Sequence, residues 1–285
     1  MNSEYTSLPA VIDQSIKDGT CLVGDNFNDD QLKCWFLQEK EAFFEGDAGN
    51  SEIDPWYEYM HYVNECLGFE HIIKTKMNLD SILVLGPGAG KEIEKFSKLY
   101  KNCTLNFLEA SENFQKILQK RFHGSNIIFP KITGDIELDD NTQNLVCAFS
   151  VLHHIPNVSK VIEEVARVVK IGGYFLVREP CSSMGDWRYP RSATPNERGI
   201  SRNMMVNITK QTGFILDKRP IPIIFEPLNK VLKKTIGFRM LPYPMLYKID
   251  RIFSWLISYN DHYWRDSWYK KIGPSSYFYI FRKIF

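Results

Sequence analysis

The chain of 285 residues lacks most features that mark a specialised class of protein. Its six cysteines (Cys21, Cys34, Cys66, Cys103, Cys147, Cys181) form no CxxC pair, and no histidine stands at zinc-finger spacing. That excludes a zinc module and argues for a reducing cytoplasm over a disulfide framework. No run of about 18 apolar residues occurs, so no segment is expected to span a membrane. The pattern GxxxxGK[ST] is missing too, which excludes a P-loop. Neither charge is in surplus: 35 Lys/Arg balance 34 Asp/Glu, unlike a nucleic-acid binder, and no RNA-binding motif is present. The opening MNSEYTSLPAVIDQ has neither a basic start nor an apolar stretch, so no signal peptide is read and a cytoplasmic location is expected.

What remains is an ordinary globular composition at a length that supports a sizeable core. From residue 82 onward, short apolar runs alternate with amphipathic helical patterns. SILVL, CTLNFLEAS, NIIFPKITGD, NLVCAFS and YFLVREP read as strands. Between them Ile93, Phe96 and Leu99 share a helical face, as do Phe114, Ile117, Leu118 and Phe122. A third stripe, Val158, Val161, Ile162, Val165 and Val169, is stopped by Gly172-Gly173. Such alternation predicts right-handed crossovers and an open parallel sheet whose ligands bind beyond the carboxyl ends of the strands. Leu32, Trp35, Phe36 and Phe43 suggest a helix before the sheet, and Trp56, Met60, Val63 and Leu67 a second. A further helix is expected from Asn196 to Gly213, another along Ile249, Ile252, Phe253, Leu256 and Ile257, and SSYFYIFRK suits a final strand.

The chemistry concentrates at the strand ends. Gly86, Gly88 and Gly90, with Pro87 between the first two, follow a strand and precede a helix, where the backbone can turn tightly and approach a ligand. Glu109 ends the second strand, 19 residues after Gly90, where an acid can accept bonds from ribose hydroxyls. Asp135 stands in Gly134-Asp135-Ile136, where a carboxylate can take an amino proton from an adenine. The pattern describes an adenosyl ligand. Lys91 stands where a dinucleotide fold carries its third glycine, which argues against a pyrophosphate.

Together ILVLGPGAGKE, NFLEAS, TGDIEL, NLVCAFSVLHHIPN and VARVVKIGGYFLVREP resemble the successive motifs of class I S-adenosylmethionine-dependent methyltransferases. The resemblance covers roughly residues 80–180, with weaker agreement at 196–220 and 275–283. It implies a Rossmann-like, doubly wound α/β sheet of seven strands with the last antiparallel, and S-adenosyl-L-methionine as cofactor. It also implies that Gly86, Pro87, Gly88 and Gly90 face the methionine part and Glu109 the ribose. Ala110, Asp135 and Ile136 would frame the adenine, with Phe149 and Ser150 near the sulfonium. One departure is Val84, where many members carry an acid that touches the methionine amino group. The expected domains are an N-terminal helical lid (1–78), a cofactor-binding core (79–227), an aromatic cap insertion (228–274) and a final core strand (275–285). Trp56 and Tyr57 are placed to cover the cofactor.

A hydroxyl acceptor needs its proton removed, and histidine is the usual general base. His153 and His154 in SVLHHIP are the candidates, His154 ahead of His153, each against the alternative of capping or packing under the next helix. A histidine pair without carboxylates is a poor magnesium site, so catalysis without a metal is expected. Arg178, Glu179, Asp186, Trp187, Arg188 and Arg191 suit a polyhydroxylated acceptor, because charged groups bond hydroxyls and an indole stacks on a sugar. The alternative is a solvated loop joined by salt bridges. The loop also resembles those of methyltransferases in polysaccharide and O-antigen assembly. Residues 228–285 hold 11 Lys/Arg against 3 Asp/Glu and are dense in aromatics. Three readings stay open for that tail: a cap over the substrate pocket, a patch resting on the inner face of an anionic membrane, and nucleic-acid binding, the least expected. For the reaction, O-methylation of a sugar or lipid-linked glycan leads. The alternatives are a small phenolic or quinone-like acceptor, and a scaffold that binds the cofactor without catalysis.

Overall fold

A computed structural model describes residues 8–40, 56–189, 195–224, 235–237 and 243–285, without the side chains of Trp56 and Tyr57. Phe43, the proposed cover by Trp56 and Tyr57, Arg191 and residues 228–234 of the cap lie outside the described residues.

Strands β1 (Ser81–Leu85), β2 (Thr104–Leu108), β3 (Asn126–Ile128), β4 (Gln143–Phe149), β5 (Val169–Pro180), β6 (Phe214–Leu216), β7 (Ile221–Ile223) and β8 (Ser276–Lys283) form one sheet. The order is β3-β2-β1-β4-β5-β8-β6, with β7 also on β8. β1 to β5 pair in parallel, whereas β8 runs antiparallel to β5, β6 and β7. β6 meets the far end of β8, at Phe281 to Lys283, and β7 the near end, at Ser276 to Phe278. The two therefore share one edge position. Eight strands fill the seven positions that the sequence predicts.

Side-chain alternation in the strands divides the core in two. Leu83, Val146, Ala148, Phe175 and Val177 face one layer; Ile82, Val84, Leu145, Cys147 and Leu176 face the other. The chain covers both faces with helices α1 (Gln14–Lys17), α2 (Asp29–Glu39), α3 (Trp56–Asn64), α4 (Glu70–Thr75), α5 (Lys91–Ser97), α6 (Glu112–Arg121), α7 (Val158–Val168), α8 (Arg202–Gln211) and α9 (Pro244–Ile257). α7 and α8 bury their apolar stripes on the first layer; α3, α4, α5 and α6 do so on the second. A third cluster, built on Trp35, Trp187 and Trp264, joins the N-terminal segment to the rest.

Three local expectations differ from the structure. The β3 strand ends at Ile128, so Asp135 sits in the following loop. α7 ends at Val168, and the glycine pair instead lies within β5, where the register against β4 shifts. α8 starts at Arg202, capped by the Ser201 hydroxyl, because residues 199 and 200 bond back to Ser182 and Pro180 in extended form.

α9 lies between β7 and β8 and packs Leu246, Tyr247 and Ile249 against the second layer. Its buried face also carries Asp250 and Ser254, one turn apart, and this turns Ile252, Phe253 and Leu256 outward. The Tyr59 hydroxyl of α3 donates to Asp250 at 2.7 Å, and the Ser254 hydroxyl donates to its other oxygen at 2.7 Å. Together with the edge-on contact of Tyr62 and Tyr247, this joins α9 to α3. Asp250→Ala is expected to cost about 2 kcal/mol, since a buried phenol loses its acceptor. Urea unfolding measures this, and Ser254→Ala should cost less.

Candidate active site

A cavity of about 620 Å³ opens where β1, β2, β4 and β5 end, at the point where strand order reverses. The volume lies within the range of ligand pockets, about 300–1,000 Å³. Gly86, Pro87, Gly88, Glu109, Ala110, Asp135, Phe149, Ser150, His153, His154 and Arg178 are all in its wall. The structure thus brings together most residues singled out in the sequence, from five separate motifs.

The glycine turn has the geometry that needs glycine. Gly86 and Gly88 both have φ of 54°, in the left-handed region. A Cβ on Gly86 would collide with Val151, whereas one on Gly88 would meet nothing within 4 Å and would project into open space. Gly88 donates its N–H to Glu109 Oε2 at 3.0 Å, and Ser111 donates to Oε1 at 2.8 Å. Burial pushes the Glu109 carboxyl up, and those amide bonds pull it back. A single carboxylate thus fixes the turn and presents an acceptor to the cavity. Open space at Gly88, beside a buried carboxylate, suits a ribose-bearing ligand. Asp135 is tied by the Thr133 hydroxyl, which holds its carboxyl below the ordinary range. Ser150, also at positive φ (58°), ends β4 in a conformation that bends the chain toward the histidines.

Gly90 and Ile136 lie elsewhere. A Cβ on Gly90 would strike Phe122 and Leu118, so this glycine permits helix packing. Ile136 is buried in the first core layer.

The histidines stand on a single 3-10 turn, Leu152–His154, after β4. His153 Nδ1 lies 2.7 Å from Glu179 Oε2, and Glu179 also accepts the N–H groups of Val151 and Leu152, each at 2.8 Å. Burial pushes the Glu179 carboxyl up, but His153 and the amides outweigh it and hold it below the usual range. Burial, then the neighbouring His154, hold His153 below its ordinary value. The pair is a neutral imidazole donating to an ionised carboxylate. Glu179 is 1% exposed and stands behind His153, not in the cavity wall.

His154 is the more open ring. Its Nδ1 lies 3.0 Å from Glu39 Oε2, and its Nε2 lies 3.8 Å from Glu197 Oε1. Both carboxylates line the cavity, and neither is in the sequence-based set. Glu39 had a signal: with Leu32 and Trp35 it forms a buried helical stripe, where a lone acid is out of place. Glu197 had none. The backbone below is held by Trp35, whose indole N–H donates to the His154 carbonyl at 2.7 Å. Arg198, fully buried, donates to the carbonyls of Val23, His153, Ile155 and Pro156.

Of the acceptor candidates among the described residues, Arg178 alone is in the wall. It donates to Asn64 at 3.0 Å and lies 3.6 Å from Glu92. Trp187 is 7% exposed, packs edge-on against Trp264 and donates to the Ser183 carbonyl. Arg188 is exposed and pairs with Asp186. None of the described cap residues lines the cavity.

Glu92, also in the wall, is pushed up to about 7 by burial and by Glu179, against the pull of Arg178. A carboxyl raised above its ordinary 4.5 contributes stability that is fully present below pH 4.5 and lost as pH rises through 7. Glu92→Gln is therefore expected to gain on the wild type between pH 5 and pH 8, by on the order of 2 kcal/mol. Urea unfolding at the two pH values checks this; an unchanged difference sinks it.

Residues 83–177 match the family model described as a methyltransferase domain. Among solved structures, the chain is similar to a candidate sarcosine dimethylglycine methyltransferase from Galdieria sulphuraria at 15% identity and a TM-score of 0.53, covering 78% of this chain and 85% of that one. It is also similar to a chain of the complex between the Haloferax volcanii Trm112 methyltransferase activator and its candidate methyltransferase, at 12% identity and a TM-score of 0.53, covering 87% and 98%. No curated protein matches the sequence. At such identities the structural likeness speaks for the fold alone, and the matched domain, which runs from β1 into β5, supplies the chemistry. Residues 83–177 are thus a methyltransferase domain on the fold of the class I S-adenosylmethionine-dependent methyltransferases, and S-adenosyl-L-methionine is the cofactor that goes with it.

Proposed function

We propose that the enzyme methylates a hydroxyl of a sugar or lipid-linked glycan, with His154 as general base. The observation that carries this reading is His154 flanked by Glu39 and Glu197 in the same cavity wall as Gly88 and Glu109. When bound, the cofactor supplies an electrophilic methyl group, and Gly86, Gly88, Glu109 and Asp135 are the residues that would hold it. The chain's own work is to orient the acceptor oxygen and to remove its proton. With Glu39 at Nδ1, the proton is taken at Nε2, the atom that faces Glu197. His153, fixed by Glu179, packs with ring centroids 4.0 Å away and positions the base.

Polar groups from several elements face the cavity: Glu39, Glu58, Lys91, Glu92, Arg178 and Glu197. That density favours a polyhydroxylated acceptor. A phenolic or quinone-like acceptor is the second reading, favoured by Leu32, Trp35, Phe36 and Met60 in the same wall. Radiolabelled methyl transfer to panels of sugars and of phenols decides between them. Failure of the wild type on every acceptor, with cofactor binding intact, would instead support a scaffold. Glu109→Ala is expected to weaken cofactor binding at least 10-fold, about 1.4 kcal/mol, by calorimetry.

The lipid-linked reading draws on α9. Met245, Ile252, Trp255 and Leu256 are each more than half exposed, in a tail with a surplus of basic residues. Aromatic and basic groups together suit an anionic membrane surface. No helix among the described residues is long and apolar enough to cross a membrane. Sedimentation with phosphatidylglycerol vesicles is expected to retain the wild type and to release Trp255→Glu; equal retention on neutral vesicles would overturn this reading.

A further inference from the structure

We infer that His153, His154 and Glu197 form a chelating site for a divalent transition-metal ion of the Zn2+ type, and that its occupancy blocks methyl transfer. The blockade rests on the reading of His154 as base; the chelate itself does not.

Each of the three residues offers one ligand atom, and these atoms lie within 4.8 Å of one another. Two independent segments supply them: the turn after β4 and the loop before α8. In each ring Nδ1 lies against a carboxylate, Glu179 at 2.7 Å and Glu39 at 3.0 Å, and Nε2 of His154 faces Glu197, the third member of the set, at 3.8 Å, so the site assigns Nε2 as the coordinating atom. A carboxylate on the far nitrogen fixes the tautomer and raises the basicity of the ligand, the arrangement that supports histidines in metal centres. Two imidazoles and one carboxylate suit Zn2+, Co2+ or Ni2+ and are a poor set for Mg2+ or Ca2+. With three protein ligands, a tetrahedral ion keeps one position open, and all three residues line the cavity.

Contraction is modest. Bonds of about 2.0–2.1 Å place tetrahedral ligands roughly 3.3 Å apart, so side chains move by about an ångström or less from their present spacing. Charge also favours the ion, since Glu39, Glu179 and Glu197 surround the two rings. An ion on Nε2 of His154 occupies the lone pair that would accept the acceptor's proton. Metal and proton thus compete for one atom.

The full-length protein, stripped with a chelator, is titrated with Co2+ alone, followed by visible absorption and then by displacement with Zn2+. One Co2+ per chain is expected, displaced by Zn2+, with affinity weakened at least 10-fold in both His154→Ala and Glu197→Gln. Zn2+ should inhibit methyl transfer with a midpoint that tracks its binding. No saturable 1:1 binding, equal affinity in both variants, or an intense thiolate-to-cobalt band would overturn the site. Zn2+ that binds without inhibiting overturns the blockade and leaves the chelate standing. If the wild type methylates nothing, the functional reading fails, while the Co2+ titration still decides the site.

Discussion

His154→Ala is expected to lower kcat by about two to four orders of magnitude, the usual worth of a positioned general base. Cofactor affinity should stay within about threefold, because Glu109 and the glycine turn lie on other strand ends. The size of the effect follows from how the ring is held. Glu39 fixes Nδ1 from α2, the Trp35 indole fixes the carbonyl, and Glu197 stands by Nε2. Removing one support should cost less than removing the ring: Glu39→Gln keeps a hydrogen-bond acceptor and is expected to lose roughly 10-fold in kcat. Single-turnover kinetics with saturating cofactor separates the chemical step from binding. A His154→Ala enzyme with wild-type kcat would end the base assignment, whatever its acceptor.

Arg198→Met should destabilise the fold by about 3 kcal/mol or more. The guanidinium is fully buried and donates to the carbonyls of Val23, His153, Ile155 and Pro156. It also sits over the Trp35 ring, 5.4 Å from the centroid. Two effects oppose each other on substitution. Methionine removes a buried charge, which is favourable. Against that, the carbonyls of Val23, His153 and Ile155 lose this donor at about 1–3 kcal/mol each, while Pro156 keeps the N–H of Val158. Three such losses outweigh one relieved desolvation. Arg198→Lys is expected to recover only part of the loss, because an ammonium cannot span the planar fork that the guanidinium fills. Since two of those carbonyls flank His154, activity should fall further than the unfolded fraction accounts for. Calorimetric melting beside rate measurement tests both halves, and a Met variant that melts with the wild type refutes the claim.

The parts that were legible in the sequence and the parts that were not divide along chain separation. The sheet was readable because the short continuous apolar runs of β1, β4 and β5 and the helical stripe of α7 are written within a few residues. The glycine turn, Glu109 and the histidine pair were readable because each stands close after a strand, and such sheets bind at their carboxyl ends; Asp135 lies farther on, in the loop after β3. A misplaced detail has the same cause: Asp250 takes the buried side of α9 to accept from Tyr59, 191 residues away, with Ser254 donating to its other oxygen, and this turns Ile252, Phe253 and Leu256 outward. Trp187, expected as a platform for a sugar, packs its indole in the cluster with Trp35 and Trp264, since composition does not say which side of a loop a tryptophan faces.

The sequence alone determined the fold, the cofactor and the turn that carries the histidines, because local hydrophobic pattern and motif spacing suffice for those. Only the tertiary structure decided what surrounds the histidines. Glu39 and Arg198 reach the turn across 115 and 45 residues. Contacts of that span depend on how α2 packs and how the loop before α8 folds back, and no local periodicity encodes either.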